Sequence, residues 1–157
     1  MSENLSLLKL TSNIGQVYHT IPPTFGSWLA GILLKAEEGM VEMEFIIRQE
    51  MCNPAGALHG GVIAAMLDEV AGVTVYSLGH TNYHTSVNLV VDFFAPSLSG
   101  YHVKARGKLI KRGKKISHLH AELSHSETGR LLAHASTNVI WIDKEIGHII
   151  SKPNTQG

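Results

Sequence analysis

The chain has 157 residues, with 13 Lys+Arg against 13 Asp+Glu, so at neutral pH it carries no overall field to draw in nucleic acid or an anionic membrane. Its 44% hydrophobic and 17% charged content is that of a globular domain with one core, which excludes a disordered chain. The lone Cys52 excludes an internal disulfide framework and a multi-cysteine zinc site, and it agrees with a reducing compartment.

In chain order, residues 2–16 place Leu5, Leu8 and Ile14 at loosely helical spacing, which predicts a modest packing helix before a Pro22-Pro23 break. The sequence MSENLSLLKL lacks a basic region followed by an apolar run, so a cytoplasmic location is expected. Residues 20–34 carry no formal charge, but Pro22, Pro23, Gly26 and Gly31 interrupt them and they are too short to span a bilayer. From Leu29 to Gln49, Val41, Met43, Phe45 and Ile47 alternate with Glu42, Glu44 and Arg48. That pattern predicts two strands joined at Glu37-Glu38-Gly39.

Residues 59 to about 79 predict one long helix, buried on most sides and ended by Gly79. Strands are predicted at about 84–95, 101–112, 115–126 and 130–142, with Pro96, Ser99-Gly100, Gly113 and Thr128-Gly129 in the connections. No repeat or low-complexity linker divides the chain. The expected organisation is one domain: a helical extension over 1–28, a core over 29–142 and a tail over 143–157. Consecutive strands on short turns favour an antiparallel sheet, which gives an α+β fold with one sheet curled around one buried helix.

The opening of that helix, NPAGALHGGVIAAMLDE over residues 53–69, carries the chemistry. Gly60 and Gly61 leave first-turn N–H groups open at the positive end of the helix dipole, a place that suits a developing oxyanion. Asp68 in an apolar helix needs polar partners, and a carboxylate so placed serves as a general base or a nucleophile. Asn53 offers an amide to a water or a carboxylate oxygen. Nine helical residues put His59 and Asp68 roughly 180° apart and about 13–14 Å along the axis, so a joint site requires a second copy across a two-fold axis. Without that, Asp68 and Glu69 are a solvated stripe and His59 an ordinary first-turn residue.

These residues resemble the hotdog-fold acyl-CoA thioesterases, in their phenylacetic-acid-pathway-like branch, over about residues 35–142. The family motif is an Asn, a His-Gly-Gly six residues later and an acid nine residues after the His, as Asn53, His59 and Asp68 stand here. The resemblance implies that the Gly60 N–H polarises the thioester carbonyl, that Asp68 of a neighbouring protomer is base or nucleophile, and that Asn53 and His59 position the reacting groups. It also implies a homodimer, commonly doubled to a homotetramer. In some relatives a polar residue stands eighteen positions past the acid, where this chain has Ser86; an edge hydroxyl bonded to backbone is the plainer reading.

KLIKRGKKIS then has two readings. By itself it is a solvated hairpin turn. By resemblance, Lys111, Arg112, Gly113, Lys114 and Lys115, together with Gly61, approach the coenzyme A moiety of the substrate, whose phosphates suit cations and free amides. No cofactor beyond coenzyme A as part of the substrate is expected. A nucleic-acid patch is the weaker reading, because no aromatics interleave the charges. Hotdog hydratases set their His and acid in another context than LHGG. A non-catalytic acyl-CoA-binding hotdog protein is the rival to the hydrolase.

No metal is expected. His80 and His84 sit in a loop pattern, and His118 and His120 share a strand face without a recognisable third ligand. Cys52 reads as packing, and Phe93, Phe94 and Trp141 as sheet core or subunit contact. Glu69 points about 100° away from Asp68 around the helix, which makes it a supporting or surface group.

Overall fold

The computed structural model describes residues 3–19, 23–80 and 82–142; Pro22 of the predicted break and the 143–157 tail lie outside them. Its elements are α1 (Leu5–Thr11), α2 (Phe25–Leu29), β1 (Ile32–Glu37), β2 (Met40–Ile46), α3 (Gly60–Tyr76), β3 (Tyr83–Phe93), β4 (His102–Lys111), β5 (Ile116–His125) and β6 (Leu131–Ile142). The six strands form one antiparallel sheet in the order β1-β2-β4-β5-β6-β3.

The sheet wraps α3, and strand alternation supplies the inner face: Met43 and Phe45 on β2, Val103 and Ala105 on β4, Ala121 and Leu123 on β5. The helix approaches closest over a row of small residues, since Gly107 pairs with Ala121 and Ala121 with Ala135. A Cβ on Gly107 would collide with Thr74 Oγ1 and stand 2.9 Å from the Val70 carbonyl oxygen. Glycine there is what lets helix and strand touch. Met66, Leu67 and Val70 of α3 are fully buried against this floor.

The four later strands stand within two residues of the expected bounds, and the predicted hairpin is shorter than expected by three residues at each end. The first helix is shorter than expected and buries a different side. Leu10 is 1% exposed and Leu7 packs on the core, whereas Leu5, Leu8 and Ile14 face solvent. Asn4 explains both its start and its direction, accepting from the Leu7 N–H at 3.0 Å and donating to the Ser77 carbonyl at 2.8 Å. Leu29, expected at a strand start, instead ends α2. The long helix stops at Tyr76, with Gly79 beyond it in a left-handed conformation, φ +74°.

The two edges of the sheet differ. On the β1 side, residues 15–18 run alongside as a cover, with Gly15 N–H to the Leu33 carbonyl, Leu33 N–H to the Gln16 carbonyl and Tyr18 N–H to the Gly31 carbonyl. On the other side β3 pairs only with β6 among the described residues. That free rim is eleven residues long and exposes Val87, Val90 and Phe93, followed by Phe94. The last two are therefore rim residues and not core.

Candidate active site

α3 begins where the chain turns out of a loop built by Asn53. Its Oδ1 accepts from the Ala55 and Ala57 N–H groups at 3.0 and 3.1 Å, so this amide oxygen organises the loop, and the Nδ2 makes no hydrogen bond among the described residues. His59 is the N-cap, and its Nδ1 accepts from the Gly61 N–H at 2.9 Å. The expectation of two open amides is thereby corrected. Gly61 is occupied by the cap, and the Gly60 N–H is the one without a partner among the described residues. Gly60 lies under Phe93, whose ring atoms would be 3.4 Å from a Cβ built there.

Asp68 is an exposed residue midway along a helix that buries Met66, Leu67 and Val70 beside it. Its Oδ1 accepts a hydrogen bond from the Ser86 hydroxyl of β3 at 2.9 Å. This replaces the plainer reading of Ser86 as a backbone-bonded edge hydroxyl. A cavity of about 500 Å³ opens here, lined by Asp68, Ser86, His84, Glu69, Tyr18 and Tyr76 among others. Asn53 and Gly60 line a different cavity, with Phe93, Phe94 and Pro96. One chain thus separates the two halves of the motif, as helix geometry requires. Both cavities border β3, the first near residues 83–86 and the second near its Phe93 end.

His84 and Glu69 are among the cavity residues that the sequence did not point to. His84 is two residues before Ser86 on the same strand, and burial lowers its pKa while the Asp68 charge opposes that shift. It stands edge-on to Trp141 at 5.6 Å between ring centroids. Glu69 is no surface group: it is half-buried, and burial, then the Asp68 charge, raise its pKa. Period-two alternation around Ser86 was a usable signal for His84. For Glu69 no signal existed, because α2 lies over it.

The basic turn is divided. Arg112 donates to Glu38 Oε1 at 3.0 Å and lies 2.9 Å from His80 Nε2, whose ring packs tilted against Trp141 at 4.1 Å between centroids. Arg112 thereby has side-chain contacts within the fold that its lysine neighbours lack among the described residues. Lys111, Lys114 and Lys115 are exposed and form no ion pair among the described residues. Gly113 is needed for the turn itself, since a Cβ there would run into the Ile116 carbonyl oxygen. No group of three or more His, Cys, Asp or Glu side chains among the described residues is placed to hold a metal ion, and no described helix is long and apolar enough to cross a membrane.

Residues 55–132 match the model of the thioesterase superfamily. Human acyl-coenzyme A thioesterase 13 is 26% identical over 101 residues, covering 64% of this chain and 72% of that protein. A putative thioesterase of Ralstonia eutropha JMP134, described as phenylacetic acid degradation-related, superposes with a TM-score of 0.67 at 26% identity, covering 73% of this chain and 86% of that one. A hypothetical thioesterase of Streptococcus pneumoniae TIGR4, solved with coenzyme A, has the same fold at 16% identity, with a TM-score of 0.68 over 73% of this chain and 88% of that one.

A curved antiparallel sheet around a central helix gives the chain the hotdog fold of these thioesterase structures, and the stretch that opens that helix lies within the thioesterase superfamily match. Its relatives there include a named acyl-coenzyme A thioesterase and a phenylacetic acid degradation-related putative thioesterase.

Proposed function

We propose that the protein hydrolyses an acyl-coenzyme A thioester in a site shared by two copies, with Asp68 from one and the Gly60 N–H from the other. The observation that carries this reading is the Ser86 hydroxyl held on Asp68 at one end of a free strand whose other end borders the Gly60 cavity. Antiparallel pairing of β3 with its own copy about a two-fold axis brings the two ends together, twice. The exposed apolar residues of that rim supply the reason to pair.

In this site the Gly60 N–H, at the positive end of α3, donates to the thioester oxygen as charge develops on it. Asp68 takes a proton from water as it adds to the carbonyl carbon, or adds to that carbon itself to give an anhydride that water then opens. Either way the C–S bond breaks and coenzyme A leaves as the thiolate, which then takes up a proton. Asn53 and His59 shape the loop that presents the amide, and Ser86 holds the carboxylate. Lys111, Lys114 and Lys115 are the cations available to the phosphates, on a turn that Gly113 and Arg112 keep in shape. Pairing of two such dimers into a tetramer belongs to the same reading.

The test is thiol release from a panel of aliphatic and aromatic acyl-coenzyme A thioesters. Asp68→Ala is expected to retain coenzyme A binding and lose turnover; a variant that still turns over refutes the role of Asp68. Single turnover in labelled water separates the routes, since only direct attack leaves label in the Asp68 carboxyl.

A further inference from the structure

The wall of the Asp68 cavity is not the lining that a saturated chain calls for. Tyr18, Tyr76 and Tyr83 bring three phenol rings to it, Glu69 brings a second carboxyl, and no Lys or Arg stands among its lining residues. The mechanism above makes no use of Glu69. Its carboxyl forms no ion pair among the described residues. Its position is set by space: a Cβ on Gly26 of α2 would collide with Oε1 and stand 2.6 Å from Oε2, so the carboxyl fills the gap that the glycine leaves. The same crowding is felt by Tyr18, whose pKa is pushed up to about 12 by burial and by the neighbouring Tyr76 and Glu69.

A neutral alkyl tail drawn into this space would strip water from Glu69 and give nothing back. A tail ending in a carboxylate would meet two like charges. An ammonium is the group the lining suits, because it pairs with the carboxyl and is attracted to the negative faces of the rings.

We propose that Glu69 is a specificity-determining residue of the acyl pocket, favouring acyl groups that end in a protonated amine and refusing those that end in a carboxylate. This rests on the thioesterase reading above, with the acyl group lying on the Asp68 side.

The experiment compares kcat/KM for the coenzyme A thioesters of 6-aminohexanoate, heptanoate and adipate, in wild type, Glu69→Gln and Gly26→Ala. Wild type is expected to rank them in that order, with about a tenfold gap between the first and the last, the size of one screened charge pair. Glu69→Gln should shrink that gap to about threefold or less, and Gly26→Ala, which displaces the carboxyl without removing it, should shrink it too. A wild-type enzyme that prefers adipoyl, or a gap unchanged in Glu69→Gln, overturns the proposal. Thioether analogues of the same three chains, measured by calorimetry, give the ranking without hydrolysis. Absent turnover with the ranking intact sinks only the hydrolytic reading, and turnover or binding without a ranking sinks only this one.

Discussion

Replacing Ser86 by Ala removes one hydroxyl and leaves the fold of β3 intact, because Ser86 is an exposed strand residue. The lost contact is the 2.9 Å hydrogen bond to Asp68 Oδ1. In one isolated chain both groups face water, which would replace the hydroxyl, and the loss would be about 0.5 kcal/mol or less. Covered by a second copy, a hydrogen bond to a charged group is worth about 1.5–3 kcal/mol, and at 1.36 kcal/mol per decade that is roughly ten- to a hundredfold in kcat/KM. The assay is thiol release across a substrate titration. It is accompanied by light scattering, which should show an unchanged assembly, and by Ser86→Thr, which keeps the hydroxyl and should recover most of the rate. A Ser86→Ala enzyme within about threefold of wild type would refute the claim that this bond orients the reacting carboxylate under cover.

On the free rim, Val90→Lys sets cations near one another across the proposed two-fold axis; sedimentation is expected to show a shift to monomer, with turnover lost in parallel. Gly107→Val forces a side chain between β4 and the Val70–Thr74 turn of α3, an overpacking that should cost about 1–3 kcal/mol or more and lower Tm by several degrees in a thermal scan. Glu69 has its pKa raised by burial, so the folded state holds its proton more tightly than the unfolded chain does. Its contribution is therefore fully present below the unfolded value and is lost as pH rises through the folded one. Over the interval above about pH 4, where the unfolded carboxyl ionises, Glu69→Gln should gain in Tm relative to wild type. A Tm difference that is flat over that interval refutes the assignment.

The strands and the central helix were legible because their patterns are local. Alternation in β2 reports directly which side meets the core, and the near-absence of charge in α3 reports a helix buried on most sides. α2 was not, because five residues carry no period, and its end is held from far away in sequence, by Arg48 donating to the Trp28 and Leu29 carbonyls. The spacing from His59 to Asp68 implied that one chain holds the helix entrance and the acid apart, and Gly60 and Asp68 do line different cavities. It did not foretell that His59 would spend its imidazole on the Gly61 amide, since His is not among the residues usually met at an N-cap. Arg112 looked like its lysine neighbours in the sequence. Only the fold brings Glu38 and His80 to it.

The cover laid by residues 15–18 along β1 has a consequence for how copies of the chain meet. A sheet with two bare margins recruits strands at both and grows into a ribbon without limit. Here one margin is already occupied from within over Gly31–Leu33, so strand addition by a twin falls to the other, and in the proposed assembly two dimers have to meet by their faces rather than by their strand edges.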